Sequence, residues 1–221
     1  LQGPLRVGLT GRNGAGKTRL LSGLFERGHE PGGAVSKTLS RPAPEKADLP
    51  KQEKPADPED TVPTGLPAGS AIALAHTGRI GYLPQRLDGF ADDQSIYDAV
   101  RTAAPDAPPG EIRANLARFF FRGDAIHRRI GDLSGGERFR AALAVILLAD
   151  PPNELLVLDE PTNNLDVGSV DELVDALDGY RGGLLVVSHD EAFLARLRLD
   201  TCLDLEDGVL TETHPPAAGT V

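Results

Sequence analysis

Cysteine is almost absent. Cys202 is the only one in 221 residues, so no internal disulfide can form. Such a chain fits a reducing compartment, and Cys202 itself reads as a small apolar side chain buried on a strand. Long hydrophobic runs are missing too. The longest, Ala141 to Ala149, is far short of the roughly 20 apolar residues that a membrane-spanning helix needs. No charged leader followed by an apolar segment opens the chain. These absences predict a soluble, cytoplasmic protein that inserts in no membrane; any work at a bilayer would need spans from another chain. Basic residues are the minority, 23 Lys and Arg against 33 Asp and Glu, for a net charge of −10. That balance argues against broad non-specific nucleic-acid binding, because a polyanion is repelled by the chain as a whole. It leaves room for a local basic patch or for docking on a larger partner.

What is present is dominated by residues 11–18, GRNGAGKT, a full match to the phosphate-binding pattern G-x-x-x-x-G-K-[ST]. Leu5, Val7 and Leu9 alternate in a strand-like run that feeds this loop. Leu20, Leu21, Leu24 and Phe25 recur behind it at helical spacing until Gly28. A strand, a glycine-rich turn and a helix N-terminus direct several backbone N–H groups at one point, where phosphate oxygens bind. Gly11, Asn13, Gly14, Ala15, Gly16 and Arg19 shape the loop and its exit. Lys17 is placed to reach the β- and γ-phosphates, and the Thr18 hydroxyl to ligate Mg²⁺.

Eight of the eighteen prolines fall between residues 29 and 78. Proline at this density breaks helices and interior strands, so about 40–68 reads as a disordered, proline-rich insertion. Further on, 79–83 reads as a strand ending at Pro84, Gln94 to Arg101 and Glu111 to Phe121 as helices, and Leu133 to about Ala149 as a long helix. In the second of these, Ile112, Leu116, Phe119 and Phe120 share one face. Leu155 to Leu158 and Leu184 to Val187 have the unbroken apolar character of buried parallel strands, with a helix from Val167 to Leu177 between them. Cys202 to Leu205 and Val209 to Leu210 suit a hairpin around Asp207-Gly208. No internal repeat is seen. The alternation predicts an α/β fold with a mostly parallel sheet and flanking helices.

Asp159 and Glu160 close an apolar strand at its C-terminal end, where open α/β sheets bind ligands. Asp159 suits a Mg²⁺ site and Glu160 a general base for water. Ser134, Gly135, Gly136 and Glu137 form a capping box, yet that box does not require two glycines. Bare backbone at a helix start also admits a phosphate. Gln85 would contact the metal or the water, and His189 would donate to the γ-phosphate.

In this order the motifs resemble the nucleotide-binding cassettes of ATP-binding-cassette (ABC) proteins. GRNGAGKT resembles Walker A, Tyr82-Leu83-Pro84-Gln85 the Q-loop, and LSGGE at 133–137 the signature. LLVLDE at 155–160 resembles Walker B, Asn164-Leu165-Asp166 the D-loop, and Ser188-His189-Asp190 the switch histidine. EPTNNLD at 160–166 is similar to the corresponding stretch of the ABC-F subfamily, many of whose members act on the ribosome in translation or antibiotic resistance, and residues 79–85 and 133–138 resemble the second, C-terminal cassette of such proteins. The resemblance implies a P-loop cassette over 1–213, a helical subdomain at about 86–150, and a tail at 214–221. It implies ATP and Mg²⁺ as ligands, and Glu160, His189 and Gln85 as the catalytic set. Thr18, Gln85 and Asp159 would lie around the metal. The signature residues and the D-loop residues Leu165 and Asp166 would face a second cassette, in the same longer protein or in a homodimer. A detached ATPase subunit of a transporter is the alternative. The family's aromatic platform for adenine has no counterpart in the ten residues before Gly11.

Overall fold

The computed structural model describes residues 5–12, 14–26, 79–87, 90–163 and 165–217, with backbone alone for 22–26. The expected insertion at 40–68 and Asn13 lie outside the described residues.

Six strands form one sheet: β1 (Arg6–Thr10), β2 (Ile80–Leu83), β3 (Leu155–Asp159), β4 (Gly183–Val187), β5 (Thr201–Glu206) and β6 (Val209–Thr213). Their spatial order is β2-β3-β4-β1-β5-β6. The first five neighbours run parallel, and β6 returns antiparallel to β5. Asp207 and Gly208 turn that hairpin with φ of 49° and 80°, the left-handed pair that a tight two-residue turn requires. β3 and β4 are interior strands and bury both faces, which is why their sequences are apolar without alternation. Leu156 and Leu158 share one core with Ile96, Ile146 and Leu173, while Val157 joins Leu9, Val187 and Leu21 of the helix Lys17–Glu26 on the other face. Cys202 is buried on β5, as expected; a Cβ at Gly8 would lie 2.7 Å from its Sγ, so the neighbouring strand needs glycine there.

Helices α1 (Lys17–Glu26), α2 (Ile96–Ala103), α3 (Pro109–Arg118), α4 (Gly135–Leu147), α5 (Val167–Asp178) and α6 (Glu191–Arg196) surround the sheet. The shared core of α2, α3 and α4 includes Ile96, Leu116, Ile130 and Ile146, all fully buried. α2 begins at Ile96, two residues later than the sequence pattern suggests, because the Ser95 hydroxyl caps it by accepting the Asp98 N–H. α3 ends at Arg118, three residues early. Phe119 remains half-buried, but Phe120 takes φ 65° and its ring leaves the apolar face, 59% exposed. The expectation that both phenylalanines share the face with Ile112 and Leu116 is therefore corrected.

Candidate nucleotide site

Because β1 to β4 are parallel, their C-terminal ends meet at one edge of the sheet. Each strand delivers one motif there: the loop 11–18 after β1, Gln85 after β2, Asp159 and Glu160 at the end of β3, and His189 after β4. They line a cleft of about 430 Å³ together with Gly14, Gly16, Arg19 and Asn163. Four segments up to 175 residues apart in the chain thus share one small volume.

Within the loop the glycines differ in purpose. Gly14 and Gly16 have φ of 87° and 96° and open space where a Cβ would stand, so they leave the backbone bare toward the cleft. Gly11 does not line the cleft. Its φ is 137°, and a Cβ there would meet the Leu205 carbonyl oxygen at 2.5 Å, so it is glycine because β5 passes so closely. Ala15 also stays out of the cleft and packs against the core on the Leu9 face. Lys17 is 8% exposed, and its ammonium donates to the carbonyl oxygens of Gly11 at 2.6 Å and Arg12 at 3.2 Å. Those contacts curl the side chain over the loop whose N–H groups it would complement.

The Thr18 hydroxyl lies 3.5 Å from Asp159 Oδ2. Asp159 is buried, and its carboxyl is pushed up by that burial and by the charge of Glu160; hydroxyls of Thr18 and Tyr82 and the charge of Lys17 oppose the rise. The Tyr82 phenol, half-buried, donates to the same carboxylate, and its own ionisation is pushed up by burial and by Asp159. Two adjacent carboxylates with a threonine hydroxyl and a glutamine form an oxygen-rich set beside a phosphate loop. That donor set fits Mg²⁺, which takes oxygen ligands and keeps part of its water.

Glu160 has φ 48°, the left-handed region, where a residue with a side chain is strained. The surroundings hold it there. Its N–H donates to Val187 O at 2.8 Å, and its carbonyl accepts from Asn163 N–H at 3.2 Å. Its carboxylate, nearly buried, sits 2.8 Å from Nδ1 of His189. The histidine thus meets the glutamate directly, a contact that motif order does not imply.

Ser134, Gly136 and Glu137 do not line this cleft, and Gly135 opens instead on an adjoining one of about 460 Å³ shared with Gln85, Glu160, Asn163 and Leu165. The capping box is formed: the Ser134 hydroxyl accepts Glu137 N–H, and the Glu137 carboxylate accepts Ser134 N–H. Asp166 caps α5 by accepting Ser169 N–H at 2.7 Å. Asn164 lies outside the described residues. Two residues went unassigned by sequence reasoning: Asn163, which lines the cleft, and Tyr82, which does not line it but supports Asp159. Tyr82 is a member of a motif but acquires a partner only through the pairing of β2 with β3; Asn163 is one of two adjacent asparagines with nothing to distinguish them.

The family model described as ABC transporter matches residues 3–163. The chain belongs to that family. It is an ABC-type, P-loop ATPase cassette, and its curated relatives include ABC transporter F family members. The tylosin resistance ATP-binding protein TlrC of Streptomyces fradiae is 36% identical over 203 residues, 87% of this chain and 36% of the relative. ABC transporter F family member 5 of Arabidopsis thaliana is 34% identical over 145 residues, 65% of this chain and 20% of that protein. The chain therefore spans between a fifth and about a third of the length of these relatives. Among solved structures, a bacterial Atm1-family ABC exporter with ATP bound superposes with a TM-score of 0.63 at 20% identity, covering 97% of this chain and 34% of the other, a likeness of fold. No helix among the described residues is long and apolar enough to cross a membrane.

Proposed function

We propose that this chain is the Mg²⁺-dependent ATP-hydrolysing cassette of an ABC-F-type protein that acts on the ribosome, in translation or antibiotic resistance. In this reading 1–213 is one cassette, with 86–150 as its helical subdomain. The observation that carries the hydrolytic part is Glu160, strained in φ and fixed 2.8 Å from His189 in the cleft that also holds Lys17. A carboxylate so placed accepts a proton from a water beside the γ-phosphate. The water oxygen attacks phosphorus, the bond to the ADP oxygen breaks, and Lys17 stabilises the charge carried by the phosphoryl oxygens. His189 keeps the carboxylate aimed, and Gln85 orients the water. Mg²⁺, held through Thr18, Asp159 and Gln85, would neutralise charge on the β- and γ-phosphates.

Among the described residues Ser134, Gly136 and Glu137 at the start of α4 do not line the phosphate cleft, which supports head-to-tail pairing with a second cassette, in a longer protein or a homodimer. The ABC-F relatives, one of them a tylosin resistance protein, favour the ribosome over a transporter, since the exporter resembles this chain in fold alone. Glu160→Gln should keep ATP affinity within about twofold and lower turnover roughly 10²- to 10⁴-fold, the usual worth of a general base. Turnover at the parent rate in that variant would refute the assignment. Co-sedimentation of the Gln variant with ribosomes in Mg-ATP tests the partner.

A further inference from the structure

α3 ends in a glycine motif without glycine. Phe121 N–H donates to Leu116 O at 3.1 Å and Phe120 N–H to Ala117 O at 3.2 Å, the two bonds of a Schellman cap. Phe121 and Leu116 are both buried in the core the cap closes onto. The residue between the cap and Phe121 must be left-handed, so glycine is usual there. Phe120 occupies it at φ 65°, at a cost of roughly 1 kcal/mol in backbone energy. Its ring is 59% exposed, so folding recovers little of that cost. A benzyl side chain that the fold would rather replace by hydrogen is held out in water.

Its neighbours are cations. The Arg140 guanidinium lies 6.0 Å from the ring centroid. Arg118 and Arg122 flank it in sequence; both are exposed, and neither has an ion pair among the described residues. A groove of about 580 Å³ runs from Phe120 past Phe119 and Leu143 to Arg181. Of the seven arginines between residues 113 and 140, Arg128, Arg129, Arg138 and Arg140 pair with Glu137, Asp93, Asp92 and Glu172, while Arg118 and Arg122 keep their charge in a chain whose net charge is −10. Glu172 and Asp175 also line the groove, so the positive charge is local to the end of α3, at Arg118 and Arg122. Apart from Lys17, every Lys or Arg among the described residues is arginine, the cation that binds phosphate bidentately and stacks on planar groups.

We infer that Phe120 and its arginines form a docking surface for single-stranded RNA, one base stacking on the Phe120 ring and the flanking phosphates meeting Arg118 and Arg122. A purely apolar protein partner would leave the Arg118 and Arg122 guanidinium groups without a counter-charge, whereas Arg140 already pairs with Glu172. The choice of RNA over DNA rests on the proposed ribosomal reading; the stacking surface does not.

The variant Phe120→Gly separates folding from binding. Glycine suits the cap, so the thermal midpoint should stay or rise and the basal ATPase rate should not change. Affinity for a labelled, unstructured RNA of about 12 nucleotides, read by fluorescence anisotropy, should fall roughly 10- to 100-fold, the worth of one stacked base. For the parent, the slope of log affinity against log salt should be about −1.4 for two phosphates, and Arg118→Ala or Arg122→Ala should each remove about 0.7 of it. No RNA binding by the parent, or equal binding by Phe120→Gly, would overturn the surface. A parallel arm sediments Glu160→Gln, with and without Phe120→Gly, on ribosomes. RNA binding through Phe120 without sedimentation keeps the surface and removes the ribosomal reading. Sedimentation that ignores Phe120, with no RNA binding, does the reverse. Sedimentation lost with Phe120 while the parent binds no RNA assigns the patch to a protein and overturns the RNA inference.

Discussion

Glu160 and Tyr82 show how single residues here are set by more than their own chemistry. Glu160 accepts an unfavourable φ because backbone bonds to Val187 and Asn163 hold it between β4 and the following turn. Strain supported in this way fixes a carboxylate where a flexible side chain would drift. Tyr82 donates a hydrogen bond to Asp159. Under the proposed Mg²⁺ site that bond would orient the Asp159 carboxylate, and loss of such a support commonly costs 10- to 100-fold in metal affinity. Tyr82→Phe should therefore raise the Mg²⁺ concentration needed for half-maximal Mg²⁺-dependent ATP binding about tenfold or more. ATP affinity in EDTA should not change. If the Mg²⁺ titrations of parent and variant coincide, Tyr82 has no part in the metal site.

At the scale of the element, α4 depends on its first turn. The capping box satisfies N–H groups at the helix start, and Arg128 pairs with Glu137 at 2.7 Å. Together these hold the Glu137 carboxyl down at about 2, from an ordinary 4.5; the Arg128 bond is the largest cause and the Ser134 N–H the next. A carboxylate with a lowered folded pKa stabilises above its unfolded value and loses that contribution as pH falls through the folded one. Ser134→Ala should cost about 1 kcal/mol in urea unfolding at pH 7. The stability difference between the parent and Glu137→Ala should be full above pH 4.5 and shrink toward zero as pH approaches 2. A difference independent of pH would mean that the carboxylate's charge does not stabilise the helix start. The same helix end faces out of the phosphate cleft of its own chain, so its stability and its availability to a second cassette are separate matters.

At the scale of the whole molecule, no residue of 134–137 lines the phosphate-loop cleft among the described residues. Under the proposed pairing, Mg-ATP should drive Glu160→Gln into a dimer, because the route to opening is hydrolysis. Adding Ser134→Arg should return it to monomer by filling the space meant for a partner's γ-phosphate, with little change in monomer affinity for ATP. Light scattering with Mg-ATP would give a partial dimer for the parent, a strong dimer for the Gln variant and a monomer for the double variant. If the double variant dimerises as well as the Gln variant, the signature is not at the interface.

Much of this could be read along the chain. The strand before Gly11, the apolar run closed by Asp159 and Glu160, the long helix after Leu133 and the Asp207-Gly208 hairpin are local matters, governed by side-chain periodicity, turn chemistry and backbone freedom within a few residues. Apart from Asn163, the residues that line the cleft were legible for the same reason, since each motif occupies adjacent positions in the chain. The tertiary structure decided what depends on neighbours distant in sequence. β1 lies between β4 and β5, away from β3, so His189 and Glu160 come within one hydrogen bond of each other. Gly11 is glycine because of Leu205, and Tyr82 meets Asp159 because β2 pairs with β3. Phe120 turned outward although its helical spacing pointed inward, because three bonds at the end of α3 close the helix before the pattern does. Periodicity reports which residues would share a face if a helix continued; where it stops is settled by the core that it closes onto.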